Sequence, residues 1–234
     1  MSKNILKILT FFIIGIVGGI FADQILWPYF VERPLFYQYG LEQTPVNITE
    51  VKEIYIQENS ALKNAIERAE KTVVMVISET GAGKISEGSG LVLTSDGLII
   101  TLAELVPLGS EFSFSIDGEE VPFQTLKRDS EKNLALIKVN KTRLSTVGFA
   151  DLEKLKLGER IFLVGAASSG FRANEGIVTS FDKDSIETNI FEENTLAGSP
   201  LFDIEARILG LNTVDKDGRI VAIPISVIRT FSGL

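Results

Sequence analysis

From Thr72 to the C-terminus, the sequence is a succession of short apolar segments separated by turn-forming residues. The first segment, Thr72–Ile77, is rich in β-branched residues, which favour strands. Turn signals recur between the segments, at Gly81–Gly83, Ser95–Gly97, Asp117–Gly118 and Asp215–Gly218. This pattern predicts an all-β domain. Periodicity alone does not choose between a sandwich and a barrel.

Composition limits the chemistry that this chain can carry. Hydrophobic residues make up 45% of the 234 residues and charged ones 23%, which favours a packed core over disorder. The net charge of −8 argues against a nucleic-acid-binding surface. The chain contains neither cysteine nor histidine, so it can form no disulfide, thiolate site or Ser-His relay by itself. We expect no cofactor and no metal site.

The N-terminus carries an uncharged apolar run over residues 8–22. With its flanks, residues 4–22, it supplies about the 20 residues that cross a bilayer. Lys3 and Lys7 favour a cytoplasmic N-terminus, and Trp27 suits the far membrane interface. The pattern therefore predicts a single-pass transmembrane helix with the β domain on the extracytoplasmic side.

A cleaved signal peptide is the alternative for this segment. Residues 20–22 (Ile-Phe-Ala) make a poor cleavage site, because isoleucine stands where a small residue is needed. We therefore expect an uncleaved membrane anchor over residues 1–30 and a linker or stalk over 31–59. A short helix capped by Ser60 then opens the main domain, residues 60–234.

Three sequence blocks occur in the order and spacing of a known family. The first is Gly88–Leu93 with Asp96–Thr101, the second is Asn133–Val139, and the third is Thr195–Leu201 with Ile208–Thr213 and Val221–Pro224. Together they resemble the HtrA-type branch of the trypsin-like serine peptidases, over about residues 60–233. The resemblance implies two six-stranded antiparallel β-barrels, the first over about 72–142 and the second over about 143–234.

The same resemblance locates the positions of a catalytic triad, and none of the three holds the residue that catalysis needs. Glu104 stands where the family has its base histidine, Asn133 where it has aspartate, and Ala197 where it has the nucleophilic serine. A methyl group cannot attack a carbonyl, so the resemblance implies a pseudo-peptidase without catalytic residues. Thr195 replaces a glycine of the same turn and would distort the oxyanion hole if that position needs a positive φ.

Several functions are compatible with this pattern. We expect a binding or scaffold module for an extracytoplasmic protein or peptide, held at the strand edge beside the degenerate site. The expected binding residues are Thr195, Ala197, Gly198, Ser199, Leu211, Asn212, Thr213 and Val214. One alternative is an active serine endopeptidase in which Ser199 is a displaced nucleophile. Another is a purely structural subunit of an envelope complex.

The remaining polar segments are interpreted more simply. Ser86, Ser89, Ser168 and Ser169 are expected in loops, and Gly81–Lys84 in a hairpin turn.

Relatives of the HtrA type often trimerise, so the resemblance also allows homo-oligomerisation. The contacts could be made by the aromatic residues Phe30, Phe36, Tyr37 and Tyr39.

Overall fold

A computed structural model describes residues 2–26, 60–81 and 83–234 of the chain. These residues fall into two compact units, Met1–Tyr55 and Ile56–Leu234. The expected linker over residues 31–59, with its aromatic residues, lies outside the described ranges.

The described part of the first unit is helical. Helix α1 (Ser2–Phe21) continues into a π-helical turn over Ala22–Leu26. Within it, Lys7–Ile25 is long and apolar enough to cross a membrane by length and composition. The side chains of residues 7–25 are exposed. This exposed apolar helix is where the sequence predicts the membrane anchor.

The second unit is built almost entirely of strands, as the sequence predicts. Two short helices accompany them: α2, over residues 60–70, and α3 (Ile225–Ser232). The strands of the first half are β1 (Val73–Glu79), β2 (Ile85–Val92), β3 (Leu98–Leu102), β4 (Glu111–Ile116), β5 (Glu119–Val121), β6 (Phe123–Asp129) and β7 (Leu134–Val139). Those of the second half are β8 (Arg160–Ala167), β9 (Gly170–Phe181), β10 (Ile186–Phe191), β11 (Pro200–Asp203), β12 (Ile208–Val214) and β13 (Arg219–Pro224).

The first half differs in detail from the expected six-stranded barrel. It forms a seven-stranded antiparallel sheet in the order β5-β4-β1-β2-β3-β7-β6. The two edge strands, β5 and β6, follow each other in sequence and are separated only by Pro122. Proline lacks the N–H group that a continuous ladder needs, so it divides one extended segment into two strands. The first half thus has one strand more than expected, and both edges of its sheet belong to one segment of chain.

The second half agrees with the expectation. Its six strands close into a barrel in the order β10-β13-β12-β11-β8-β9. Strand β12 lies between β11 and β13, pairing Leu211 with Pro200 on one side and with Ile223 on the other.

The two halves share part of their core. Buried residues of both, including Phe114 and Phe202, belong to one hydrophobic cluster. Ser89 of β2 joins the halves through hydrogen bonds: its Oγ accepts from the Ala166 N–H at 2.9 Å and donates to the Ala166 carbonyl at 3.3 Å. The expectation that Ser86 and Ser89 are loop residues is therefore wrong, because both lie in β2. Ser89 is fully buried, and its hydroxyl satisfies two backbone groups of β8.

Candidate functional site

A cleft of about 480 Å³ opens where the first half of the domain meets the second. On one side it is lined by residues 84–87, where β2 begins, and by Glu104 and Leu105. On the other side it is lined by Asn194, Thr195, Ala197 and Val214. Two of the three degenerate triad positions, Glu104 and Ala197, therefore face the same cleft.

Glu104 lies in a 3₁₀ turn, Ala103–Leu105, that directly follows β3. Asn133 holds this turn in place: its side-chain Oδ1 accepts a hydrogen bond from the Glu104 N–H at 3.0 Å, and its carbonyl accepts one from the Ala103 N–H at 3.1 Å. The backbone of Asn133 has φ of 52°, a left-handed conformation that asparagine tolerates better than most residues. The Glu104 carboxylate itself remains exposed.

Arg128 holds the same turn from a second direction. Its Nη2 donates to the Ala103 carbonyl at 2.9 Å, and its Nε donates to the Val106 carbonyl at 3.0 Å. Charge-assisted hydrogen bonds of this kind are stronger than neutral ones. The turn that carries Glu104 is thus fixed by two side chains, one of them charged.

Ala197 follows a second 3₁₀ turn, Asn194–Leu196. Within this turn the Leu196 N–H donates to the Glu193 carbonyl at 3.0 Å, and the Ala197 N–H donates to the Asn194 carbonyl at 3.0 Å. The Ala197 carbonyl in turn accepts from the Ser89 N–H at 2.8 Å. Both polar backbone groups of Ala197 are therefore satisfied within the protein.

The glycines beside these turns allow the two halves to approach each other. Gly198 has φ of 77°, and a Cβ atom there would lie 2.2 Å from the Ser89 carbonyl oxygen. A Cβ atom at Gly88 would lie 2.4 Å from Leu105 Cδ1 and 2.8 Å from the Ala197 carbonyl oxygen. A side chain at Gly88 would push Leu105 and the Ala197 turn away from β2, and one at Gly198 would push the Ala197 turn away from Ser89.

Strand β12 provides a free backbone edge, but it is shorter than the sequence suggested. The Asn212 N–H donates to the Ser199 carbonyl, and the Asn212 carbonyl accepts from the Gly198 N–H, both at 2.8 Å. Leu211 and Asn212 are thus paired on both sides, which corrects the expectation of an edge beginning at Leu211. Polar backbone groups alternate in direction along a strand. Those of Val214 therefore point to the same side as those of Asn212, beyond the end of β11 and towards the cleft.

Strand β2 has a second free edge on the opposite side of the cleft. It pairs with β1 from Ile85 onward, whereas its pairing with β3 begins only at Gly90. The Ser89 N–H faces Ala197 rather than β1. By the same alternation, the backbone groups of Glu87 and Ile85 point into the cleft.

The other residues expected to bind a ligand are mostly buried. Gly198, Ser199, Leu211 and Asn212 are buried, whereas Thr195, Thr213 and Val214 are partly exposed. Ser199 is fully buried, and its Oγ accepts a hydrogen bond from Asn212 Nδ2 at 3.1 Å. In the described ranges, no group of three or more His, Cys, Asp or Glu residues is arranged to hold a metal ion.

The seven-stranded sheet, the closed barrel and the cleft between them are typical of the trypsin-like class. Residues 88–211 match the trypsin-like peptidase domain family, more than half of the chain, and the chain therefore belongs to that family. Its relatives place it in the HtrA-type branch.

Among these relatives is the "Probable periplasmic serine endoprotease DegP-like" of Rhizobium meliloti, which is 28% identical over 169 residues, covering 64% of this chain and 34% of the relative. The protein of the same description from Bartonella henselae is 30% identical over 141 residues, covering 55% of this chain and 28% of the relative. The chain thus spans about a third of the length of the curated relatives that it matches.

Sequence reasoning missed three features of the site. It did not find Arg128, because a side chain that supports a turn 22 to 25 residues away leaves no local pattern. It placed Ser89 in a loop, although the flanking glycines of the Gly-Ser-Gly segment could have indicated a close approach of two backbones. It did not single out Ile85 and Glu87, whose free edge follows from strand register alone.

Proposed function

We propose that this protein is a membrane-anchored, catalytically inactive trypsin-like protein that binds an extended segment of an extracytoplasmic partner. The observation that carries the proposal is the composition of the cleft, which Glu104 and Ala197 both line and which lacks the family's serine, histidine and aspartate at the three triad positions. Acyl transfer needs all of these groups acting together.

The hydrogen bonds of the Ala197 turn support the absence of turnover. An oxyanion hole needs backbone N–H groups that point towards a developing negative charge. The Ala197 N–H instead donates to the Asn194 carbonyl, at 3.0 Å. The Asn194 carbonyl oxygen would have to be displaced from the Ala197 N–H before that N–H could stabilise an oxyanion.

An active endopeptidase is the second candidate, favoured by the description of the relatives as serine endoproteases. The displaced nucleophile that the sequence offers for it is Ser199. Ser199 is fully buried and hydrogen-bonded to Asn212, so a substrate carbonyl would have to enter the domain core to reach it. We therefore prefer an inactive binding protein to an active endopeptidase.

Binding requires none of the missing side chains. An extended peptide can add a strand to a free sheet edge, with main-chain hydrogen bonds supplying affinity. The cleft offers two such edges, Val214 on one side and Ile85 with Glu87 on the other. Ile85 is 61% exposed and adds apolar surface to its edge. We infer that loss of the triad turned a transient substrate into a ligand that leaves intact.

Anchoring by α1 would tether the β domain to a membrane. Lys3 and Lys7 favour a cytoplasmic N-terminus, so the β domain would lie on the extracytoplasmic side. The relatives are described as periplasmic, which agrees with this side. The partner is accordingly an extracytoplasmic protein or peptide.

Photo-crosslinking in native membranes tests the binding proposal. A benzoylphenylalanine replacing Ile85 should give a defined adduct, and the same probe at Leu157, which is 67% exposed and outside the cleft, should not. Val214→Pro should abolish the adduct, because it removes an N–H that faces the cleft and is not needed by the β12–β13 ladder. Val214→Ala retains the N–H and should retain the adduct. Identical adducts in all variants, or none from Ile85, would contradict peptide binding in this cleft.

A further inference from the structure

Glu104 brings an exposed carboxyl side chain to the lining of the cleft. Charged side chains among the cleft-lining residues are Lys84, Glu87 and Glu104. The carboxylate of Glu87 is already engaged, because it accepts from the Ser168 N–H at 3.3 Å and from the Ser168 hydroxyl. Within the described part of the chain, the Glu104 carboxylate makes neither a hydrogen bond nor an ion pair.

The position of this anion is fixed by its backbone. The Glu104 N–H is bound by Asn133 Oδ1 at 3.0 Å, and the preceding carbonyl, that of Ala103, is bound by Arg128 at 2.9 Å. Only the side-chain rotamers of Glu104 remain free. A partner that pairs with its carboxylate therefore has to order only the Glu104 side chain, and not the backbone that carries it.

Lys84 lines the same cleft, but among the described residues no ion pair joins it to Glu104. It lies after a turn in which the Thr80 N–H donates to the Lys84 carbonyl at 3.0 Å and Thr80 Oγ1 accepts from the Lys84 N–H at 3.2 Å. With one lysine and two glutamates, the charged lining residues leave the cleft with one net negative charge. A ligand that covers the cleft would bury Glu104 without a counter-charge unless it brings one.

We infer that the extended segment bound in this cleft carries a lysine or arginine at the position that faces Glu104. This inference rests on the proposed function and specifies the class of its ligand. A neutral side chain at that position would desolvate the carboxylate without compensation, whereas a basic one would pair with it. Because the pair is partly open to solvent, the expected preference for a basic residue is about 1.5- to fivefold in Kd.

Peptides of defined sequence test the inference on the full-length chain in detergent micelles. The probes are fluorescein-labelled octapeptides of Ser, Val, Ala and Thr, with a single lysine placed at each position in turn. A matched series carries uncharged norleucine instead of lysine, and a third carries glutamate. Fluorescence anisotropy should show, at one position, that the lysine peptide binds about 1.5- to fivefold more tightly than the norleucine peptide.

Variants at Glu104 assign the preference to this side chain. Glu104→Gln should abolish the difference between lysine and norleucine at that position, and Glu104→Arg should make the glutamate peptide the tighter one. Glu111→Gln is the matched control, because it removes the same charge from an exposed residue of β4 outside the cleft. It should preserve the lysine preference.

The outcomes separate this inference from the proposed function. Equal affinity of the lysine and norleucine peptides at every position, with binding lost in Val214→Pro, would overturn the inference and leave the proposed function standing. A lysine preference that persists in Glu104→Gln would also overturn it, since the attraction would then come from the overall charge of the protein. Failure of every peptide to bind would overturn both.

Discussion

Replacing Gly198 by alanine should destabilise the domain much more than the same replacement at Gly218. Both glycines have left-handed backbones, with φ of 77° and 80°. Alanine costs roughly 1–2 kcal/mol in this conformation. At Gly218 the nearest atom to the new Cβ would be the Glu192 carbonyl oxygen at 3.4 Å, whereas at Gly198 it would be the Ser89 carbonyl oxygen at 2.2 Å.

The 2.2 Å distance at Gly198 adds a steric penalty that the 3.4 Å distance at Gly218 does not. Forcing a methyl group against a buried backbone costs about 1–3 kcal/mol. Gly218→Ala should therefore lower the free energy of unfolding by about 1–2 kcal/mol, and Gly198→Ala by about 2–5 kcal/mol. The pair of variants isolates the close approach, because both share the penalty for a positive φ.

Urea denaturation of the full-length chain in detergent micelles, followed by circular dichroism of the β domain, measures the difference. In thermal unfolding, each kcal/mol corresponds to about 2–4 °C for a domain of 150–250 residues. Equal losses in the two variants would refute the reasoning. They would mean that the Ala197 turn and β2 do not meet at the distance on which the description of the cleft depends.

Further predictions concern the core, an ion pair and the membrane. Ser89→Ala should lower the free energy of unfolding by about 1–3 kcal/mol in urea denaturation, because it leaves the buried Ala166 N–H unsatisfied, whereas Ser145→Ala in an exposed loop should change it by less than about 0.5 kcal/mol. The hydrogen bond from Lys138 is the main cause that lowers the pKa of Asp96 to about 2. Carboxyl NMR should show this midpoint, and Lys138→Met should raise it. Because the folded pKa is depressed, the stabilisation from Asp96 is present above the unfolded pKa of about 3.9 and is lost as pH falls towards about 2. Membranes washed with carbonate should retain the intact chain, and its quantitative release would contradict anchoring by α1.

The sequence predicts the all-β class well because β-branched segments and turn residues are local signals. The number of strands in the first half was less predictable, although Pro122 was visible. Pro122 divides one extended segment into β5 and β6, and these two strands lie at opposite edges of the same sheet. Such an arrangement depends on long-range pairing, which a local sequence pattern does not show. The closed second barrel followed from the resemblance rather than from periodicity.

The site was predicted at the level of positions but not of contacts. Glu104 and Ala197 could be placed in one cleft because their blocks keep the family spacing. The free edges could not be derived in the same way, since the direction of the Val214 backbone depends on strand register. Ser89 bonds to a residue 77 positions away, and no local pattern reveals such a bond.

The absence of turnover is the central claim, and labelling by a fluorophosphonate probe tests it most directly. Intact-mass spectrometry of the purified full-length chain after incubation with the probe should show no mass increase, because Ala197 has no nucleophilic atom and Ser199 is fully buried. Stoichiometric labelling that disappears in Ser199→Ala would contradict the account and identify an active serine hydrolase.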